Sequence, residues 1–169
     1  MSKGFEDVLA ANEQYAAHFT AGGLPAPAAR GLAVVTCMDS RIDPLRVLGL
    51  GLGDAKVLRN PGGRVTPDVL TALVVGTHLL GVQRVVVMEH TDCGMTKLTD
   101  EQAHEVIRER SGIDTRSLEL GTIGDQRTRL AQDVQRVRSS PYLPQGLPVL
   151  GCLYDVTSGR VEVVVPSEG

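Results

Sequence analysis

Two short apolar runs in this chain each stop at residues that bind soft or borderline metals. Gly31-Leu32-Ala33-Val34-Val35-Thr36 leads straight into Cys37-Met38-Asp39-Ser40-Arg41, and Arg84-Val85-Val86-Val87-Met88 leads into Glu89-His90-Thr91-Asp92-Cys93. Short apolar runs rich in β-branched residues read as buried strands. Cys37 therefore sits where one strand stops, and His90-x-x-Cys93 where another stops. Two thiolates and one imidazole form a three-ligand set that holds zinc and leaves a fourth position free for chemistry. The trio also has plainer readings. Free cysteines are among the most buried residue types, and Cys37 and Cys93 could form a disulfide, which an intracellular chain disfavours. The strand-end placement, the His-x-x-Cys spacing, and Asp39 and Arg41 close behind Cys37 favour the metal.

At 169 residues the chain reads as one domain, 1–169, large enough to bury a core. Within it, residues 1–29 form an N-terminal helix and linker arm. A net charge of −3 names no partner, and without a basic block nucleic acid is not expected. Apolar stretches break well short of the ~20 residues a membrane span needs, so no membrane is expected. Glu6, Asp7 and Glu13 do not suit a signal peptide. Three cysteines make no secreted framework. The expected compartment is cytoplasmic.

Phe5, Val8, Leu9, Ala16 and Phe19 recur at helical spacing over residues 3–19, and Gly22, Gly23, Pro25 and Pro27 end that helix. Strands are expected at 31–36, 55–59, 83–89, 147–154 and 160–165. Helices are expected at 43–49, capped by Asp43, at 66–80, capped by Thr66, at 99–112, with a Thr99–Gln102 capping box, and at 125–139. His78 reads as a packed histidine, His104 as solvent-facing, and Cys152 as core. Arg127, Arg129, Arg136 and Arg138 read as a solvated helix face. Gly49-Leu50-Gly51-Leu52-Gly53 lacks the spacing and the preceding strand of a nucleotide loop. The fold class is α/β: a parallel sheet of order 2-1-3-4 with strand 5 as an antiparallel edge, flanked by helices. That order sets strands one and three side by side, with their carboxyl ends at the topological switch point.

Cys37-x-Asp39-x-Arg41 with His90-x-x-Cys93-Gly94 resembles the β-class carbonic anhydrases in their short bacterial form. The resemblance extends to Arg59-Asn60-Pro61-Gly62-Gly63 and to Tyr154-Asp155-Val156-Thr157-Ser158-Gly159. It implies reversible hydration of CO2 to bicarbonate by a zinc-bound hydroxide, with one Zn2+ per chain on Cys37, His90 and Cys93. Thiolates donate more charge than imidazoles, so activity should favour alkaline pH. Asp39 could aim the hydroxide or bind the metal as a fourth ligand, and Arg41 decides between them, because its fork can hold a carboxylate off the metal. The resemblance implies both states, open and closed. A surface ion pair is the plainer reading of Asp39 and Arg41. Asn60, Gly62 and Gly63 are expected to line the approach. Asp92 is expected to orient the ligands from behind, or to stabilise its turn. The partners implied are a small-molecule substrate and further copies of the chain, in a homodimer or higher homo-oligomer. The N-terminal helix would lie across the partner, or else fold back on its own domain.

The chain departs from the commoner pattern in three ways. It has no Trp, which members that bind regulatory bicarbonate typically use. Glu89 stands where a Gly is usual, and aromatic residues are only 3%, which leaves Val, Leu and Met for an apolar CO2 wall. Two rival functions share the motif: hydrolysis of carbon disulfide or carbonyl sulfide, and a non-catalytic zinc protein. Retention of Arg41 argues against the second. A thiol phosphatase needs Cys-x5-Arg, and Asp43 occupies that position.

Overall fold

The computed structural model describes residues 3–167. Its helices are α1 (Glu6–Ala17), α2 (Pro44–Val47), α3 (Pro67–Leu79), α4 (Asp100–Ser111) and α5 (Gln126–Arg138). Its strands are β1 (Leu32–Cys37), β2 (Ala55–Asn60), β3 (Arg84–His90), β4 (Val149–Tyr154) and β5 (Val161–Val165). They form one sheet in the order β2-β1-β3-β4-β5, parallel except for β5, which pairs antiparallel with β4. This is the expected order. All six residues of β1 are buried, as a central strand covered on both faces requires.

On one face of the sheet Ala33, Val35, Val85 and Val87 pack with Val69 and Leu73 of α3 and with Leu130, Val134 and Val137 of α5. On the other, Met88, Cys152 and Tyr154 cluster with Ile42, Cys37 and Cys93. Cys152 is core, as expected. The helix starts also follow the sequence. Asp43, Thr66 and Asp125 each accept a backbone N–H at the helix they open, and the Thr99–Gln102 capping box is closed in both directions. Such a cap is worth about 1 kcal/mol.

Three readings of side chains and two strand boundaries change. His78 is exposed, because it lies on the outer side of α3, and its Nε2 meets the Tyr142 carbonyl at 3.0 Å. His104 is half-buried, because the returning loop brings Thr115 Oγ1 to 2.9 Å from its Nδ1. The arginines of α5 are latches as well as a polar face: Arg136 and Arg138 donate to the Val65 and Val149 carbonyls, and Arg127 pairs with Glu162 at 2.7 Å. β1 and β3 each run one residue further than expected, so Cys37 and His90 are the last residues of their strands.

Helix α1 contributes nothing to either cluster. None of its residues is buried, and Val8, Leu9 and Tyr15 are more than half exposed. No helix among the described residues is long and apolar enough to cross a membrane.

Candidate metal centre

Neighbouring parallel strands that end together bring their last residues together. Cys37 ends β1, His90 ends β3, and a turn through Asp92 carries the chain back to Cys93. Asp92 sits at φ +55°, the only non-glycine residue at positive φ among those described. The Sγ atoms of Cys37 and Cys93 and a ring nitrogen of His90 all lie within 4.8 Å of one another, and all three residues are buried. One residue deeper, Thr36 Oγ1 donates to the Met88 carbonyl at 2.7 Å and ties the two strands.

The turn Pro61–Gly63 closes over Cys37. The Gly62 N–H points at Cys37 Sγ at 3.3 Å. Gly63, at φ +70°, lies so close that an added Cβ would stand 2.8 Å from the Cys37 nitrogen. Only glycine permits both the conformation and that approach. The loop is braced from behind: Asn60 exchanges two hydrogen bonds with the Arg64 backbone, and the Arg64 guanidinium pairs with buried Asp133 at 2.6 Å.

The donor set fits zinc on its own chemistry. His90 Nδ1 meets the Thr91 carbonyl at 2.8 Å. A carbonyl only accepts, so Nδ1 carries the proton and Nε2 keeps a lone pair. That Nε2 is buried and has no hydrogen-bond partner. A buried acceptor left unpaired is costly unless something binds it, and it points into a cage of two thiols. Cys93 beside it holds the Cys37 thiol well below the usual range, and the same contact pushes Cys93 up. Burial disfavours the His90 imidazolium, but the Cys37 thiolate outweighs it and the net shift is upward. A divalent cation in the cage would make both sulfurs thiolates outright.

Asp39 and Arg41 lie at the rim. Arg41 Nε donates to Asp39 Oδ1 at 3.0 Å and Nη2 to Oδ2 at 2.8 Å, a bidentate fork. Arg41 thereby holds the Asp39 carboxyl well below the usual carboxylate range. Asp39 Oδ2 is 3.8 Å from His90 Nε2. The ion pair thus lies beside the cage. Arg59, to which the sequence assigned no role, donates to the carbonyls of both Cys37 and Asp39 and clamps the segment between them.

The remaining site residues fall as follows. Asp92 does not back the ligands; its carboxylate meets Arg41 and Lys97, and the group that orients His90 is the Thr91 carbonyl. The left-handed backbone at Asp92 turns its side chain outward. Gln126 donates to the His90 carbonyl, a contact across 36 residues that left no trace in the sequence. Glu89 points to the opposite face from His90, as strand alternation dictates. It is fully buried, neither carboxylate oxygen has a hydrogen-bond partner, and burial pushes its pKa up to about 7. Asn60 spends its amide on the Arg64 backbone, while Gly62 and Gly63 lie against Cys37. A cleft of about 1050 Å3 runs behind this loop past Asn60, Thr66, Leu120 and Ile123, and Cys37, His90 and Cys93 are not among its lining residues.

Comparison with known proteins agrees with this geometry. The family profile described as carbonic anhydrase matches residues 32–161. Beta-carbonic anhydrase 1 of Mycobacterium tuberculosis is 36% identical over 162 residues, covering 95% of this chain and 98% of that protein. The crystal structure of a carbonic anhydrase from Streptococcus mutans superposes with a TM-score of 0.89 at 37% identity, covering 95% of this chain and 97% of that one. A carbon disulfide hydrolase of Acidithiobacillus thiooxidans is 28% identical, covering 80% of this chain and 77% of that protein.

Proposed function

The chain belongs to the β-carbonic anhydrase family, and from that membership we propose that it catalyses the zinc-dependent, reversible hydration of CO2 to bicarbonate. Cys37, His90 and Cys93 would hold the zinc. Zinc, when bound, acts as a Lewis acid and makes a water nucleophilic near neutral pH. The chain's own contribution is positional. Arg41 keeps Asp39 ionised at any physiological pH, so Asp39 cannot store the reaction's proton. It can accept a hydrogen bond from the attacking oxygen and turn a lone pair of that oxygen toward the carbon. The proton then leaves to solvent and buffer. Ile42, Met88 and Met95 supply apolar surface around the ligands in place of the scarce aromatics.

The observation that carries this reading is the forked Asp39–Arg41 pair set 3.8 Å from the unpartnered His90 Nε2. This pairing suits an open arrangement, in which Arg41 would hold the carboxylate back from a bound metal. The unburied apolar face of α1 supports a homodimer or larger assembly in which a second copy covers it.

Hydrolysis of carbon disulfide is the second reading, favoured by the relative of that name. Both substrates are linear and apolar, and the ligands do not distinguish them. The test is kcat/KM for CO2 and for carbon disulfide on one preparation of known zinc content. A preference for CO2 is expected. A preference for carbon disulfide would replace the first reading with the second.

A further inference from the structure

Arg41 is held by more than Asp39. Its Nη1 donates to Asp92 Oδ2 at 2.9 Å and its Nη2 to the Asp92 carbonyl at 3.2 Å. The other Asp92 oxygen pairs with Lys97 Nζ at 2.6 Å. Two loops meet in this network. Asp39 and Arg41 follow β1, and Asp92 lies between two of the ligands after β3. Lys97 closes the short 3-10 turn Gly94–Thr96 that follows Cys93.

We propose that Asp92 and Lys97 are positioning residues for Asp39. Asp92 anchors the Arg41 fork to the loop that carries His90 and Cys93, and Lys97 fixes the Asp92 carboxylate. The inference rests on the reading that Asp39 acts in CO2 hydration. Its physical basis is the length and exposure of Arg41, whose side chain is 46% exposed. Asp39 lies only two residues away on the same loop. With Asp39 alone, the pair could swing as one body with that loop and still keep its two bonds. A third and fourth contact from the opposite loop refer the pair to the ligands themselves, and small displacements of an aligning group cost rate. The backbone fits this role. At φ +55° Asp92 occupies a conformation that aspartate tolerates better than most residues, and this conformation aims the carboxylate at Arg41 and away from the cage. Lys97 then holds the second oxygen, so one carboxylate links both cations.

The test uses zinc-loaded full chain and two readouts. The first is exchange of the Arg41 Nε–H with water, followed by 15N-edited NMR. The second is kcat and KM for CO2. Asp92→Gly keeps the left-handed backbone and the carbonyl contact with Arg41 Nη2, and removes the carboxylate that holds Nη1 and Lys97. It should speed exchange about tenfold and lower kcat about tenfold, with KM and zinc content within about twofold of the parent. Asp92→Asn keeps an acceptor and should fall between the two. Lys97→Met should lower kcat only about two- to threefold, as expected for an exposed pair. In an Arg41→Ala background, Asp92→Gly should change kcat by less than about twofold, because its effect passes through Arg41. Exchange at the parent rate in Asp92→Gly would overturn the proposal, as would an undiminished loss of kcat in the Arg41→Ala background. Should Asp92→Gly not fold, Asp92→Asn and Lys97→Met decide on the same readouts. A parent without CO2 hydration, but with the expected change in exchange, would sink the functional reading and leave the anchor standing.

Discussion

The carboxyl ends of β1 and β3 and the helix α1 are opposite cases within one chain. At the strand ends nearly every polar group has a partner: Thr36 with Met88, Gly62 with Cys37, His90 Nδ1 with Thr91, Arg59 with two carbonyls. The exceptions among the described residues are His90 Nε2, the atom a metal would take, and the Glu89 carboxylate on the opposite face of the sheet. In and beside α1 the apolar groups face solvent: Phe5, Val8, Leu9, Tyr15 and Phe19 are exposed, and the aromatic contact of Tyr15 with Phe19, at 5.4 Å between centroids, stays within the segment. The first region gathers donor atoms that could hold a metal, and the second leaves apolar side chains exposed.

The strongest way to break this contrast is to remove a ligand. Cys37→Ser, His90→Ala and Cys93→Ser should each retain less than about a tenth of the parent zinc and lose hydration, because three ligands act as one chelate. Metal analysis and rapid-mixing kinetics check this, and zinc retained at parent level in all three would remove the site. Asp39→Asn is subtler. It should keep zinc and lower kcat by about a hundredfold, the scale of losing one aligned group. A parent-like rate would take Asp39 out of the reaction.

The other side of the contrast is tested in α1. Leu9→Asp should shift the sedimentation of the protein toward monomer while zinc content stays at parent level. Unchanged association would mean that a second copy does not cover α1. The smallest effect lies at Glu89. Burial raises its pKa to about 7 from an ordinary 4.5. The folded protein therefore holds this proton more tightly than the unfolded chain, and raising the pH removes stability. Relative to Glu89→Gln, the parent should lose roughly 1–3 kcal/mol as the pH rises through the window between those two values and level off above it. Urea unfolding across that range measures the difference, and a flat difference would contradict the buried, unpaired carboxyl.

The sheet order and the convergence of Cys37, His90 and Cys93 were legible in the sequence because both depend on local signals. Apolar runs mark β1 and β3, caps at Thr66 and Thr99 mark the crossover helices, and the ligands stand at the strand ends. What stayed hidden depends on contacts between distant segments. Asp92 is adjacent to Cys93 in sequence, so the sequence left it between backing the ligands and stabilising its own turn. A single left-handed residue sends it to Arg41 instead. The half-burial of His104 depends on Thr115, and the lone carboxyl of Glu89 on α5 closing over it. Arg59 looked like part of a loop motif, and its clamp on Cys37 and Asp39 appears only when β2 lies beside β1.

The most direct test is CO2 hydration by rapid mixing at pH 7 and pH 9, on protein whose zinc has been measured. One zinc per chain and a rate well above buffer that rises with pH are expected. One zinc per chain with no rate at either pH would contradict zinc-dependent CO2 hydration by this chain.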